Sequence, residues 1–263
     1  MGELLDKLER ASRGTVQPIG FGSVRREKVA PLLLLGAVEA GNDAQAKLVA
    51  AAELDGAIVL GTKGAKATDV DKSVKALKGV TFGVWAEEAT PNSPDGSDFQ
   101  VFSSEMTPAG ALSGDERTTL MQISPELDDS LLRTIEYLPV DGFLVSLIDV
   151  DLLTVRQLMR LGRVRGVTSR WLLAYLSALP TKEELEQLRD VGVSGIVVDL
   201  AGQTAASLKG CRQVLLELPH EAPDRKKSRG TATLPSLGAP GPAPSGPGPG
   251  PEPDPDDDDW DEP

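Results

Sequence analysis

Three short stretches of this chain are variations on one theme: "LDGAIVLG", "VDGFLVSL" and "VSGIVVDL". Each runs from an acidic or small residue through a glycine into consecutive β-forming residues. A glycine at that point permits the tight turn from a helix into a strand. The apolar run that follows does not alternate with polar residues, so the strand it forms is buried on both faces. Strands of that kind sit in parallel sheets covered by helices, and a repeated βα unit is what builds them.

Reading along the chain finds eight such runs, at 32–38, 57–61, 81–86, 99–103, 119–123, 143–147, 171–176 and 196–200. Most are separated by segments with apolar residues at helical spacing. Asn42 with Gln45, and Thr181 with Glu184, have the spacing of a helix-opening capping box. Ser124-Pro125 is expected to open a helix over "ELDDSLLRTIEYL", with Leu131, Leu132, Ile135 and Leu138 on one face. "DVDLLTVRQLMRLG" groups Leu152, Val155, Leu158 and Met159, and the last helix puts Leu208, Cys211, Leu215 and Leu218 on one stripe.

Eight units in about 190 residues predict an α/β fold, a closed (βα)8 barrel over 14–219. An open doubly wound sheet is the alternative. It would show a Gly-rich turn after the first strand, whereas "AVEAGNDAQ" has a single Gly. A helix over about 2–12 precedes the barrel, and "TVQPIGFG" reads as a short strand or a plug at the barrel bottom. Two units are thin. Only "EEATPNSPDGSD" follows the third strand and "SEMTPAGALSGDER" the fourth, so one side of the wall is expected to lack full helical cover. An uncovered apolar wall must meet something, either the N-terminal segment or a second copy in a homo-oligomer.

The last segment, 220–263, is different in kind. It is Pro- and Gly-rich and ends in "DPDDDDWDEP", a composition expected to stay disordered because it cannot bury enough apolar surface. It holds ten acids and four bases, and so supplies −6 of the net charge of −13. Trp260 among these acids is a candidate anchor for a protein partner; the plain alternative is a solubilising tail. The acidic balance argues against nucleic acid, which requires clustered cations. The basic "SVRREK" reads as a solvated loop. One Cys and one His exclude an internal disulfide and a Cys/His zinc site. No apolar run is long enough to span a membrane. "MGELLDKLERASRG" has no signal-peptide character, so a cytoplasmic location is expected.

In a barrel of this kind the reactive groups stand at the C-terminal strand ends. Glu39, Lys63, Glu105 and Asp199 are the catalytic candidates there; Gln122, Ser146, Tyr175 and Ser177 are the substrate-binding candidates. Carboxylates at Glu39, Glu105 and Asp199 suit a hard divalent cation such as Mg²⁺, or general acid–base work after burial has raised a pKa. Lys63 suits an enolate or a substrate carboxylate. The plainer reading is that acids just after strands cap the following helices. If Asp199 faces the barrel axis, so do Val197 and Gly195, while Ile196 and Val198 face the helices. Lys63 would share the side of Gly61, Val59 and Ala57.

"LRDVGVSGIVVDL", at 188–200, resembles the "AG(A/V)DGIVV" strand start shared by many aldolase-type and phosphate-binding TIM barrels. The resemblance implies the fold. It carries over no catalytic residue, because "AGQTAAS" lacks the glycines with which those barrels hold phosphate. The functional expectation is a lyase or isomerase working by acid–base chemistry on a small anionic metabolite. Its alternative is a non-catalytic barrel acting as a binding or scaffold protein.

Overall fold

The computed structural model describes residues 2–14, 28–61, 67–87, 96–112, 117–124, 126–148 and 153–220, all within the unit Met1–Pro223. The tail with Trp260, "TVQPIGFG", most of "SVRREK", Lys63, Glu88 and Asp149 lie outside the described residues.

Eight parallel strands close into a barrel in chain order. They are β1 Leu33–Glu39, β2 Gly56–Leu60, β3 Phe82–Ala86, β4 Phe99–Phe102, β5 Thr118–Ile123, β6 Gly142–Ser146, β7 Trp171–Leu176 and β8 Gly195–Asp199. Every one coincides with an expected apolar run to within a residue or two at each end. β8 pairs with β1, with Ala37 opposite Asp199, so the sheet has no free edge.

The helices are α1 Glu3–Arg13, α2 Asp43–Ala51, α3 Ala67–Ala76, α4 Asp129–Leu132, α5 Val155–Arg165, α6 Lys182–Val191 and α7 Ala205–Glu217. Asn42 caps α2 by accepting the Gln45 N–H, and Thr181 with Glu184 forms the expected box at α6. The α7 stripe is buried as expected.

Strand parity separates two cores. Leu34, Val38, Ala57, Val59, Phe143, Val145, Ile196 and Val198 pack outward against the helices. Leu33, Leu35, Ala37, Ile58, Trp85, Phe99, Val101, Leu120, Leu144, Leu173, Tyr175 and Val197 fill the lumen. The lumen is therefore packed from side to side. Its lower end is closed by α1, whose Leu4, Leu8 and Ala11 join the same cluster. The Lys7 ammonium fixes the helix there by donating to the Asp55 carbonyl at 2.8 Å and to Thr81 Oγ1 at 2.6 Å, just below β2 and β3.

A second device recurs at the lower rim. Asp55, Asp98 and Asp141 each precede an even-numbered strand. The carboxylate of each accepts a backbone N–H from the strand before, at Leu34, Phe82 and Thr119 respectively. The backbone N–H of each aspartate donates to the carbonyl of that same residue. Ser194 keeps only the backbone half, donating to Leu172. The aspartate in "LDG" and "VDG" is thus a two-point clamp between neighbouring strands. Removing a buried acceptor leaves its donor unsatisfied, at a cost of about 1–3 kcal/mol. Asp141→Ala is expected to lose that much in urea unfolding with an unchanged m-value; a loss within error would mean that water replaces the clamp.

Burial pushes the Asp55 carboxyl above its ordinary value, against the Leu34 N–H, Arg212 and Lys7, which pull it down. The folded state therefore holds that proton to higher pH than the unfolded chain, and stability falls as pH rises from 3.8 through the raised value. Asp55→Asn keeps an acceptor oxygen and should flatten that slope.

Three expectations about the wall need correction. The segment after β5 is not one helix: α4 has four residues, Asp128 rather than Ser124 caps it, and a 3-10 turn Ile135–Tyr137 follows. Leu131 is consequently 52% exposed rather than on a buried face. On α5, Val155 and Met159 point to solvent, and Leu161 and Val164 carry the buried face. The third correction concerns β2, where Ile58 faces the lumen and Ala57 and Val59 face the helices. α2 and α3 both pack on this strand, and small outward residues let them approach. The side that Ala57 and Val59 share is thus the helix side.

Candidate functional site at the barrel mouth

The upper end of the lumen is floored by aromatic rings. Trp85 on β3 and Tyr175 on β7 meet edge to face, with centroids 5.5 Å apart and planes at 69°. Both are nearly buried, at 8% and 6% exposure. Trp85 was not among the expected site residues. Its signal was available, since it stands one residue from the end of β3 on the parity of the lumen.

Around this floor the register gathers polar groups. Tyr175 pairs with Ser146 on one side and with Val197 on the other. Asp199 lies two residues above Val197, and Glu39 lies two above Ala37, the partner of Asp199. Gln122 lies two above the lumen residue Leu120 on β5. Glu39, Gln122, Ser146, Tyr175 and Asp199 therefore share one parity at one end of the barrel. Val197 lies in the lumen and Ile196 and Val198 outside it, in agreement with the parity expected for β8.

Two carboxylates act on one phenol. Burial, then the negative charges of Asp199 and Glu39, push the Tyr175 hydroxyl up to about 12. It stays protonated throughout the physiological range, as a neutral donor and acceptor facing two acids. It has no hydrogen-bond partner among the described residues. Gln122 and Ser146, both partly exposed, have none there either. Three polar side chains on neighbouring strands thus make no hydrogen bond among the described residues, which leaves them open to a ligand or water.

The acids are partly engaged. Asp199 Oδ1 accepts the Ala201 N–H at 2.8 Å, which leaves its second oxygen to the mouth. At the end of β8 the Asp199 carboxylate thus already takes the first free amide of the turn that follows. Thr204 caps α7 by accepting the Ser207 N–H. Glu39 is exposed, and its carboxylate lies 3.5 Å from the Asn42 amide nitrogen.

The remaining candidates go elsewhere. Glu105 lies beyond β4 and lines a groove of about 300 Å³ on the outer wall, with Phe102, Leu112, Met121, Leu127 and Ile135. It does not join Glu39 and Asp199, and among the described residues no three acids, histidines or cysteines come together as a metal site. The expected Mg²⁺ set of Glu39, Glu105 and Asp199 is therefore not assembled. Ser177 follows two residues after Tyr175, just past the end of β7, and Lys63 is outside the described residues.

The Tyr175 environment gives a direct readout. The chain has two tyrosines, and Tyr137 is 86% exposed. In a Tyr137→Phe background the ultraviolet phenolate signal reports Tyr175 alone. Asp199→Asn is expected to lower its apparent pKa from about 12, but not to the ordinary value, because burial is the larger cause. An unchanged titration would place Asp199 away from the phenol.

No protein-family model and no curated protein sequence matches the chain. Solved structures do. A tryptophan synthase from M. tuberculosis is 13% identical over 70% of this chain and 91% of that one, with a TM-score of 0.53. A mutant tryptophan synthase alpha-subunit from Pyrococcus furiosus is 14% identical over 71% of this chain and 98% of that one, with a TM-score of 0.54. A second mutant of that subunit reaches 0.55 at 13% identity. At these identities the likeness is one of fold: the chain has a (βα)8 TIM-barrel fold.

Proposed function

We propose that the protein is a lyase- or isomerase-type enzyme that acts on a small polar metabolite by acid–base chemistry at the barrel mouth. The observation that carries this reading is Tyr175: a residue 6% exposed whose hydroxyl has no hydrogen bond among the described residues and is acted on by two acids at the end of the barrel where the strands finish. Glu39 or Asp199 takes the proton, and Tyr175, held neutral, donates a hydrogen bond to the oxygen on which negative charge develops. Gln122 and Ser146 orient the substrate. Fold likeness alone assigns no reaction, so the roles rest on this geometry.

The test is turnover. Full-length protein and Asp199→Asn are incubated with a pooled set of small metabolites, and depletion is followed by mass spectrometry. A compound consumed by the first and not by the second supports the reading. Identical profiles for both would sink it. They would favour the second reading, a binding or scaffold barrel, which has the apolar groove beside Glu105 and the exposed Leu131 in its support.

A further inference from the structure

We infer that a second site, at the lower end of the barrel, binds a tetrahedral oxyanion: a phosphate group, free or carried by a small metabolite. It lies at the end opposite the mouth, and nothing in it depends on the mouth being catalytic. The site is a cavity of about 210 Å³ below β7, β8 and β1, with Ser12, Arg165, Trp171, Arg189, Ser194 and His220 among its walls. A water molecule takes about 30 Å³, so the space holds an oxyanion and several waters.

The walls offer donors and no carboxylate. Two guanidiniums, two hydroxyls and an imidazole line the cavity, and among the described residues no Asp or Glu does, in a chain of net charge −13. The Arg165 side chain lies against Gly192 at the end of α6, where a Cβ would come within 3.0 Å of its Nε. Its Nη1 donates to the Arg170 carbonyl at 2.9 Å, and its other donors make no hydrogen bond among the described residues. Arg189 is held by Asp190, which is not part of the lining, and by the Pro219 carbonyl. His220 Nε2 stands 2.9 Å from the Val29 carbonyl; Glu221, next in the chain, lies outside the described residues. A rigid guanidinium fork with hydroxyl donors beside it matches the geometry of an oxyanion.

Ser194 shows that the missing carboxylate is particular to this place. Asp55, Asp98 and Asp141 clamp the other even-numbered strands from the same position, and Ser194 stands where the fourth aspartate would be. Its N–H makes the equivalent bond to the Leu172 carbonyl at 2.7 Å, but its hydroxyl makes none among the described residues. Below β2 the clamp carboxylate of Asp55 shares a cavity with Lys7 and Arg212 and answers their charge. Below β8 the two guanidiniums share theirs with a neutral hydroxyl, so the answering charge is left to a ligand.

The acids nearby are already engaged. The adjoining cavity shares Ser12, Arg165 and Trp171 and contains Glu9, Glu136 and Asp141. Arg13 takes Glu9, Thr168 and Ser169 take Glu136, and the Thr119 N–H takes Asp141. An oxyanion bound by Ser12, Arg165 and Ser194 ties α1 to the end of α5 and the start of β8, and so fastens the helix that closes the lumen.

Thermal shift on the full chain in phosphate-free buffer tests this, with inorganic phosphate, glycerol phosphate and sodium chloride at matched ionic strength. Phosphate at roughly ten times its Kd is expected to raise the Tm by about 3–6 °C, and sodium chloride to leave it unchanged. A shift with glycerol phosphate as well would make a phosphorylated metabolite the source, and a shift with inorganic phosphate alone the free anion; either supports the site. Ser194→Asp, which restores the residue of the other three clamps, should keep the unliganded Tm at or above that of the parent and abolish the phosphate shift. Ser194→Ala and Arg165→Gln should each weaken phosphate binding about tenfold in calorimetry, which carries the test if Ser194→Asp does not fold. Lys182→Gln, exposed at the start of α6 and so at the other end of the barrel, should leave binding as it is. Equal phosphate binding in the parent and in the Ser194 and Arg165 variants would place the anion elsewhere and overturn the inference. So would a chloride shift as large as that of phosphate, or no shift with either phosphate compound.

Discussion

Phe99→Ala should lower the unfolding free energy by about 3–5 kcal/mol, the usual cost of emptying a buried aromatic site, and adding Gly83→Ala should then recover part of the loss. Phe99 is among the largest fully buried side chains, and it pairs directly with Gly83 on β3. A Cβ on Gly83 would overlap the Phe99 ring. In the parent protein Gly83→Ala therefore costs about 1–3 kcal/mol or more, since the surrounding core cannot give way. Once the ring is gone, the same methyl enters empty space and also removes the entropic penalty of glycine in a strand. The sign of the Gly83→Ala effect should reverse between the two backgrounds, with a coupling of at least about 1 kcal/mol in a denaturant double-mutant cycle. Additive losses would mean that the ring does not occupy the space above Gly83.

At the mouth, stability and activity should move in opposite directions. The negative charges of Glu39 and Asp199 both act on the Tyr175 phenol. Asp199→Asn keeps an oxygen for the Ala201 N–H while removing one charge. It is expected to stabilise the protein by about 0.5–1.5 kcal/mol, as relief of a site held against its own stability commonly does. Turnover of whatever metabolite the pooled screen identifies should fall by about 10²–10⁴-fold, the typical contribution of a positioned acid or base. Glu39→Gln should follow the same pattern with a smaller gain, because Glu39 is more exposed. A variant that loses both stability and turnover would make Asp199 a turn-forming residue whose service is structural, through its bond to Ala201.

The same residues mark how far the sequence could be read. Strands buried on both faces are continuous apolar runs, and the eight runs became eight strands because no other element hides that pattern. Asn42, Thr181 and the α7 stripe were equally legible, because a cap and an amphipathic face are local. The segment after β5 was not. Its apolar residues have helical spacing, but Asp128 caps it late by accepting the Ser130 N–H, and Thr134 closes it early by donating to the Leu131 carbonyl. Local hydrogen bonds of this sort compete with helix continuation, and spacing does not register them. On α5 the apolar residues allow two faces, and only the position of α6 selects the one with Leu161 and Val164.

The barrel, its strand order and the parity of β8 follow from the sequence by itself, because burial on two faces, short connections and a period of two leave few alternatives. The strand-linking aspartates were visible in "LDG" and "VDG", though not as clamps, because their partners lie on the strand before. Which side chains meet at the mouth was decided by tertiary structure alone. Barrel closure puts β8 beside β1, residues far apart in the chain, and so brings Asp199 and Glu39 to one phenol. The loop after β4 instead turns Glu105 to the outer wall, since beyond a strand end parity no longer constrains direction. A strand repeats its own geometry, but a site is made where several strands end together.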